Sequence, residues 1–332
     1  MGPIAKAAQS ASVLVCVGGH DPSNQIHRSQ PFYASEGDTT TISTSGLIFS
    51  HDTQSQKAYV LVLKTALQPF VSNASEHFDS PEALRGDEAA PSLMRPDAFL
   101  RVLCTAQTDK GKSVVSWRSA RALHVIQLSG VREALQRLVK AQESGAWRIG
   151  WAVEGTGGLL RLPVEAQIQH AGTLVVLEVD CGDDTFQLTE TASLQGAKLE
   201  PGSQVVSSGS PFGLLAPRHF AHSLTWGHVS NLWPSVDGFG NSLLMLDIRV
   251  LPGMEGGPVL DERGALIGLL LPPLLNTSTR TEIPLAISFE ELLRSLRTFF
   301  AANTAQSDFW RSLKMWTRST AGRRQARLGD HV

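Results

Sequence analysis

Cysteine is scarce: Cys16, Cys104 and Cys181 are the only three in 332 residues, and they are far apart and lack metal-ligand spacing. That excludes a disulfide-stapled secreted domain and a cysteine-built metal centre, and it reads as buried thiols of a reducing compartment. An excess of one charge is also missing. Lys and Arg number 29 against 31 Asp and Glu, a formal net charge of -2, which argues against a dedicated nucleic-acid binder. No apolar run reaches membrane-spanning length, so no transmembrane segment is expected. Residues 1–10 lack the charged-then-apolar layout of a secretory signal. Gly2 precedes Pro3 without the Ser or Thr of a myristoylation signal, and Val332 ends the sequence without a Ser-Lys-Leu type tail. The sequons at Asn73 and Asn276 are therefore expected to stay unglycosylated. The ten histidines are scattered. His219 and His222, the one close pair of note, have no third ligand in view, so neither a metal nor another cofactor is expected.

What is present is the composition of a folded chain, 42% hydrophobic and 18% charged, with enough length to bury a core. Short β-branched runs punctuated by Gly, Pro, Ser and Asp point to an all-β closed barrel or sandwich. In the first half, strands are expected over 11–17, 40–50, 58–63, 99–105, 113–117 and 173–179. A polar turn spans 51–57, a polar insertion 71–97, and a linker 181–199. Val131, Leu135, Leu138 and Val139 fall at helical spacing opposite Arg132, Glu133, Arg137 and Lys140, which predicts a packed helix over 131–141. In the second half, strands are expected over 204–208, 223–232, 242–248, 258–260, 265–270 and 282–287. A helix follows over 289–300, with Ser288 as its N-cap.

The chemistry-bearing segment is Leu251-Pro252-Gly253-Met254-Glu255-Gly256-Gly257-Pro258. In a chymotrypsin-type protease, a Gly-x-Ser-Gly-Gly-Pro loop turns backbone N–H groups inward as an oxyanion hole and projects the serine at its rim. Here the serine position holds Glu255. Alone, such a turn could be any glycine-rich hairpin, but its surroundings fall in a specific order. Gly209-Ser210-Pro211-Phe212-Gly213 ends one strand, Ser223 to Ser230 supplies a Thr-x-Gly-x-Val-Ser strand, Asp247 follows, and Leu266-Ile267-Gly268 lies downstream of the loop. This succession, covering about 204–287, resembles the second barrel of the HtrA/Deg serine proteases. Among them, the Gly-Ser-Pro-Phe-Gly segment and the Leu-Pro-Gly-x-Glu-Gly-Gly loop are most similar to the peroxisomal leader-peptide-processing protease family.

That resemblance implies a trypsin-like double antiparallel β-barrel with a helical insertion in the first barrel and a C-terminal helix. The expected division is 11–185 for the first barrel, with its insertion at about 71–150; 200–300 for the second barrel and closing helix; and 301–332 for a basic tail or linker. In the first barrel, Ser45-Gly46-Leu47-Ile48 and Ala58-Tyr59-Val60-Leu61 resemble the strands that precede the catalytic histidine, which counts to Thr65. The strand 174–178 follows the expected catalytic aspartate position, Thr173. Thr65, Thr173 and Glu255 thus form a degenerate triad, and Gly253, Met254, Glu255, Gly256 and Gly257 form the oxyanion loop. A Glu255 side chain acting as nucleophile or acid would need a partner that the sequence does not offer in register.

The resemblance implies a non-catalytic unit of a peroxisomal processing protease, serving folding, self-association or substrate presentation for a catalytic unit. Its partners would be peptides or leader-bearing proteins, and its compartment the peroxisome or otherwise the cytoplasm. The alternative is a stand-alone peptide-binding pseudoprotease, and an active hydrolase with a hidden nucleophile ranks last. The basic tail interleaves Arg311, Lys314, Arg318, Arg323, Arg324 and Arg327 with Trp310, Leu313 and Trp316, and reads as a linker or an amphipathic helix. Glu255 has two expected fates. It either points to solvent or a surface Arg, or folds back on the amides of its own loop with a folded pKa below the usual value of about 4.3.

Overall fold

The computed structural model describes residues 2–21, 33–52, 56–72, 93–107, 113–140, 146–151, 162–181, 199–238 and 240–302. In chain order the first half contains α1 (Pro3–Ala11), β1 (Ser12–His20), β2 (Ala34–Glu36), β3 (Thr39–Asp52), β4 (Lys57–Leu63) and α2 (Lys64–Leu67). It continues with β5 (Phe99–Gln107), β6 (Ser113–Gln127), α3 (Ser129–Lys140), β7 (Trp147–Ile149), α4 (Val164–Ala171) and β8 (Thr173–Asp180). The second half contains β9 (Gln204–Gly209), α5 (Pro217–Phe220), β10 (Ser223–Pro234), β11 (Asn241–Leu246), β12 (Pro258–Asp261) and β13 (Leu266–Leu270). It ends with β14 (Leu274–Asn276), β15 (Thr281–Ile283), β16 (Leu285–Ser288) and α6 (Phe289–Ala302).

The first barrel runs β1-β5-β6-β8-β4-β3 and is closed by antiparallel pairing of β1 with β3, while β2 adds to β3 as a hairpin arm. The second closes in the order β10-β11-β16-β13-β12-β9. A separate small sheet, β15-β14-β7, joins a strand of the first half to the second. Closure removes the exposed edges that an open sheet would present.

The continuous apolar runs of β4 and β8 are explained by burial on both faces. Ala58, Val60 and Val62 fill the first barrel with Val175, Leu177 and Val179. The alternate residues Tyr59, Leu61 and Leu63 face outward with Leu174 and Val176, into a second core shared with Val206, Leu243, Leu260 and Ile287 of the other barrel. The barrels are therefore fused through a common apolar layer. Helices α3 and α6 seal it: Val131 and Leu135 meet Leu292 and Leu296 in that layer. The buried Glu291 carboxylate accepts the Gly130 N–H at 2.9 Å and Arg294 Nη1 at 2.7 Å. Ser288 Oγ accepts the Glu291 N–H at 3.1 Å, an N-cap bond.

Several expectations need correction. The stretch read as an insertion, about 71–150, supplies β5 and β6, which are staves of the first barrel itself. Strand β6 runs on to Gln127, with a register shift between Ala122 and His124. His51, placed in a turn, lies in β3 opposite Ala58. The strand over 282–287 divides at Pro284 into β15 and β16, because proline donates no ladder hydrogen bond. The basic tail from residue 303, the linker over 182–198, Asn73 and most of the polar stretch 71–97 lie outside the described residues. Among the described residues no helix is long and apolar enough to cross a membrane.

Candidate functional site

The loop between β11 and β12 carries Gly253 to Gly257. Gly253 has φ +97° and Gly256 φ +80°, the left-handed region that favours glycine. At Gly253 a Cβ would stand 2.8 Å from the Ser210 carbonyl oxygen, and at Gly256 it would run into the Ser45 carbonyl. The loop is thus fitted against Gly209-Ser210-Pro211-Phe212-Gly213 on one side and β3 of the other barrel on the second.

Strand β3 grips it through two side chains that the sequence reading left without a role. Thr44 Oγ1 donates to the Glu255 carbonyl at 2.8 Å, and the Ser45 N–H donates to the same oxygen at 3.0 Å. Ser45 Oγ donates to the Gly253 carbonyl at 2.7 Å and accepts the Ser210 N–H at 2.8 Å. Inside the loop, the Met254 N–H donates to Leu251 O, the Gly257 N–H to Met254 O and the Gly256 N–H to Leu270 O, at 3.0, 3.0 and 2.9 Å.

The Glu255 side chain turns back onto this loop. One carboxylate oxygen accepts the Gly253 N–H at 2.7 Å, and the other accepts the indole Nε1–H of Trp151. In a serine protease the oxyanion hole is built from the N–H of the nucleophile and that of the residue two positions earlier. Two positions before Glu255 stands Gly253, and its N–H is spent on the Glu255 carboxylate. Of the two fates expected for Glu255, the fold-back is the one found. The accompanying expectation of a lowered pKa is overturned. Burial pushes the Glu255 carboxyl above its ordinary range, outweighing the Trp151 indole, its own N–H and the Gly253 N–H, which pull the other way. These neutral donors do not replace the hydration that the part-buried carboxylate gives up.

Trp151 carries the signal that the sequence reading missed. It follows β7, and Trp147, Ile149 and Trp151 alternate at the period of a strand. Trp151 is buried with Met254, Val250 and Ile248 in the core of the second barrel.

The other proposed triad positions lie at one end of an adjacent strand pair. Leu63 of β4 pairs with Leu174 of β8, so Thr65, in α2, and Thr173, opening β8, leave the barrel at the same end. Gly256 approaches that end, its β-position 3.8 Å from the Leu63 nitrogen. Both threonines are buried, and Thr173 Oγ1 donates to the Gln169 carbonyl at 2.7 Å. Neither is a hydrogen-bond partner of the Glu255 carboxylate, whose contacts are Trp151 and Gly253. Asp247 sits apart from this chemistry. It accepts the His228 N–H and faces the His228 ring at 3.2 Å, with both side chains half-exposed. The backbone bond from His228 holds its carboxyl below the ordinary range.

The chain folds as two fused antiparallel barrels with a glycine loop docked at their junction, and residues 122–269 match the family described as trypsin-like peptidase domain. The chain is related to the peroxisomal leader peptide-processing proteases. It is 28% identical to the mouse (Mus musculus) protein of that name over 206 residues, 57% of this chain and 35% of the relative. To the human (Homo sapiens) protein it is 32% identical over 113 residues, 32% of this chain and 19% of the relative. The aligned part thus spans about a third or less of those relatives' length. A crystal structure of Deg5 overlaps 88% of this chain and 89% of its own at 14% identity and a TM-score of 0.43.

Proposed function

We propose that the chain is a non-catalytic trypsin-like unit that serves serine-type processing of leader-bearing proteins in the peroxisome. It does so by aiding folding, self-association or substrate presentation for a catalytic unit. One observation carries this reading: Glu255 stands where the nucleophile belongs, and its carboxylate takes the Gly253 N–H that would stabilise an oxyanion. Acyl transfer needs an alcohol or thiol, a base to take its proton and a free donor pair for the developing charge. Glu255 supplies no alcohol or thiol, and its carboxylate already takes the Gly253 N–H. The compartment and the leader-bearing partners rest on the names of the mouse and human relatives.

The test has two arms. The purified chain, incubated with a fluorophosphonate probe, should show no serine labelling, and stoichiometric labelling would overturn the non-catalytic reading. Added to a trypsin-like unit that has an intact serine loop, it should raise the rate at which a leader-bearing substrate is cut. Absence of both association and rate change would overturn the supporting role.

A further inference from the structure

Helix α1 bridges the barrels: it runs without a linker into β1 of the first and packs on β9, β10 and β12 of the second. Its buried residues are the small Ala5, Ala8 and Ala11, and no side chain caps its N-terminus at Gly2. Isolated helices shorter than about 12 residues are marginal in water, so this short helix depends on what holds it from outside. At its C-terminal end that partner is His222, which immediately precedes β10. Gln9 Nε2 donates to the His222 carbonyl oxygen at 2.9 Å, and the imidazole hydrogen-bonds in return to the main chain of Gln9 and Ser12. His222 adopts φ +59°, a left-handed backbone uncommon outside glycine, and the two-way contact offsets that strain.

One ring nitrogen has no counterpart. His222 Nδ1 is buried and meets no hydrogen-bond partner among the described residues, so the bonds to Gln9 and Ser12 fall to Nε2–H, and the neutral tautomer is assigned from that pattern. A second proton would turn Nδ1 into a buried donor without an acceptor. We propose that His222 is a proton-sensitive clasp on the bridging helix: neutral, it fastens α1 to the second barrel, and a second proton on its ring loosens the C-terminal end of α1 while both barrels stay closed. The main-chain carbonyls at the helix end favour a charged ring, but burial outweighs them and holds the His222 pKa below its ordinary value of 6.5. The shift comes from burial and main-chain bonds alone. Lys6 of α1, Cys16 and His20 of β1, Arg218 and His219 of α5, and His228 of β10 add nothing to it, and β9 carries no titratable residue. Opening exposes the ring and restores the ordinary pKa, so acid favours opening. The fastening is complete above about pH 6.5 and is lost as pH falls through the folded pKa.

The test is amide hydrogen exchange of the full chain at a series of pH values between about 8 and 5, corrected for intrinsic exchange, beside an NMR titration of the His222 ring. Protection of the α1 amides should fall in acid by about tenfold for each unit by which the ring titrates below its ordinary value. Protection of β8, a stave of the first barrel, should not follow it. His222→Asn keeps a residue that tolerates the left-handed backbone and removes the titration, so its α1 protection should stay level with pH. A ring pKa at or above 6.5, or α1 protection in the parent chain that does not change with pH, overturns the proposal. So does an equal fall in His222→Asn, which would assign the loosening to other groups. Should that variant fail to fold, the parent chain still decides. The fall in α1 protection must match the measured ring pKa in size and in the pH window where it occurs, and a mismatch in either overturns the clasp.

Discussion

Ser45 Oγ, in the first barrel, donates to the carbonyl of Gly253, in the second, at 2.7 Å, and in the same position accepts the Ser210 N–H at 2.8 Å. One buried hydroxyl therefore satisfies a donor and an acceptor belonging to two different loops. Ser45→Ala keeps the backbone but leaves both groups buried and unpaired, each carrying a desolvation penalty of about 1–3 kcal/mol. The expected outcome is a destabilisation of about 2–4 kcal/mol by urea unfolding. A change below about 0.5 kcal/mol, the size of an ordinary surface substitution, would show that the clasp is dispensable.

Gly256→Val tests whether the turn is retained for packing. The position has φ +80°, and a Cβ there meets the Ser45 carbonyl oxygen, so strain and collision add. A loss of a few kcal/mol is expected from such a combination. An unchanged melting temperature would mean that the loop yields easily.

Much of this was readable from residues alone. The order of glycine loop, Gly209 to Gly213 segment and Asp247 located the second barrel, and Val131, Leu135 and Leu138 located α3, because a helical stripe and a glycine turn are local signals. What escaped is non-local. Residues 118–127 of β6 contain three arginines or histidines in ten positions and shift register at Ala122, which hides their alternation. Helix α1 is short, alanine-rich and uncharged in its last turn. Ser45 was noted only as part of a strand motif, since nothing in a Ser-Gly dipeptide says that its hydroxyl will meet a carbonyl 208 positions away. The raised pKa of Glu255 was missed for the same reason. The loop's donors are visible in its sequence, while the burial that outweighs them comes from β7 and the second-barrel core.

The three cysteines are buried and free. Burial pushes the Cys16 and Cys181 thiols up to about 12 and Cys104 higher still. A thiol that far above neutral pH offers almost no thiolate. Native protein at pH 8 should therefore react with a thiol-disulfide reagent orders of magnitude more slowly than denaturant-unfolded protein. Rapid native labelling of even one cysteine would contradict the packing around β5 and β8.

Trp151→Phe removes the indole N–H while keeping an aromatic ring among Met254, Val250 and Ile248. The Glu255 carboxylate then retains the Gly253 N–H and loses a donor. Above the folded pKa of Glu255, where the carboxyl is ionised, the variant should be less stable by about 1–3 kcal/mol, the range for stranding a polar group. The deficit should shrink in acid, where the carboxyl is neutral and needs the donor less. A deficit that stays constant with pH would assign it to packing alone.

The last prediction concerns the pH dependence that Glu255 itself imposes. Its folded-state pKa is raised, with burial the leading cause, above the unfolded value of about 4.3. Between the two pKa values the folded state holds a proton that the unfolded chain has released, so stability falls as pH rises through that window. The contribution is fully present below about pH 4.3 and is lost as pH climbs through the folded pKa, at about 1.4 kcal/mol for each unit of separation. Glu255→Gln has no such titration, while its other ionisable groups are shared with the parent chain. The stability of the parent minus that of Glu255→Gln, from urea unfolding at a series of pH values, should therefore be largest in acid. It should decrease with rising pH and level off above the folded pKa. A difference that grows with pH instead would mean that the Gly253 and Trp151 donors outweigh burial. The carboxylate would then be a stabilised anion in the oxyanion loop, and not one held there against its solvation.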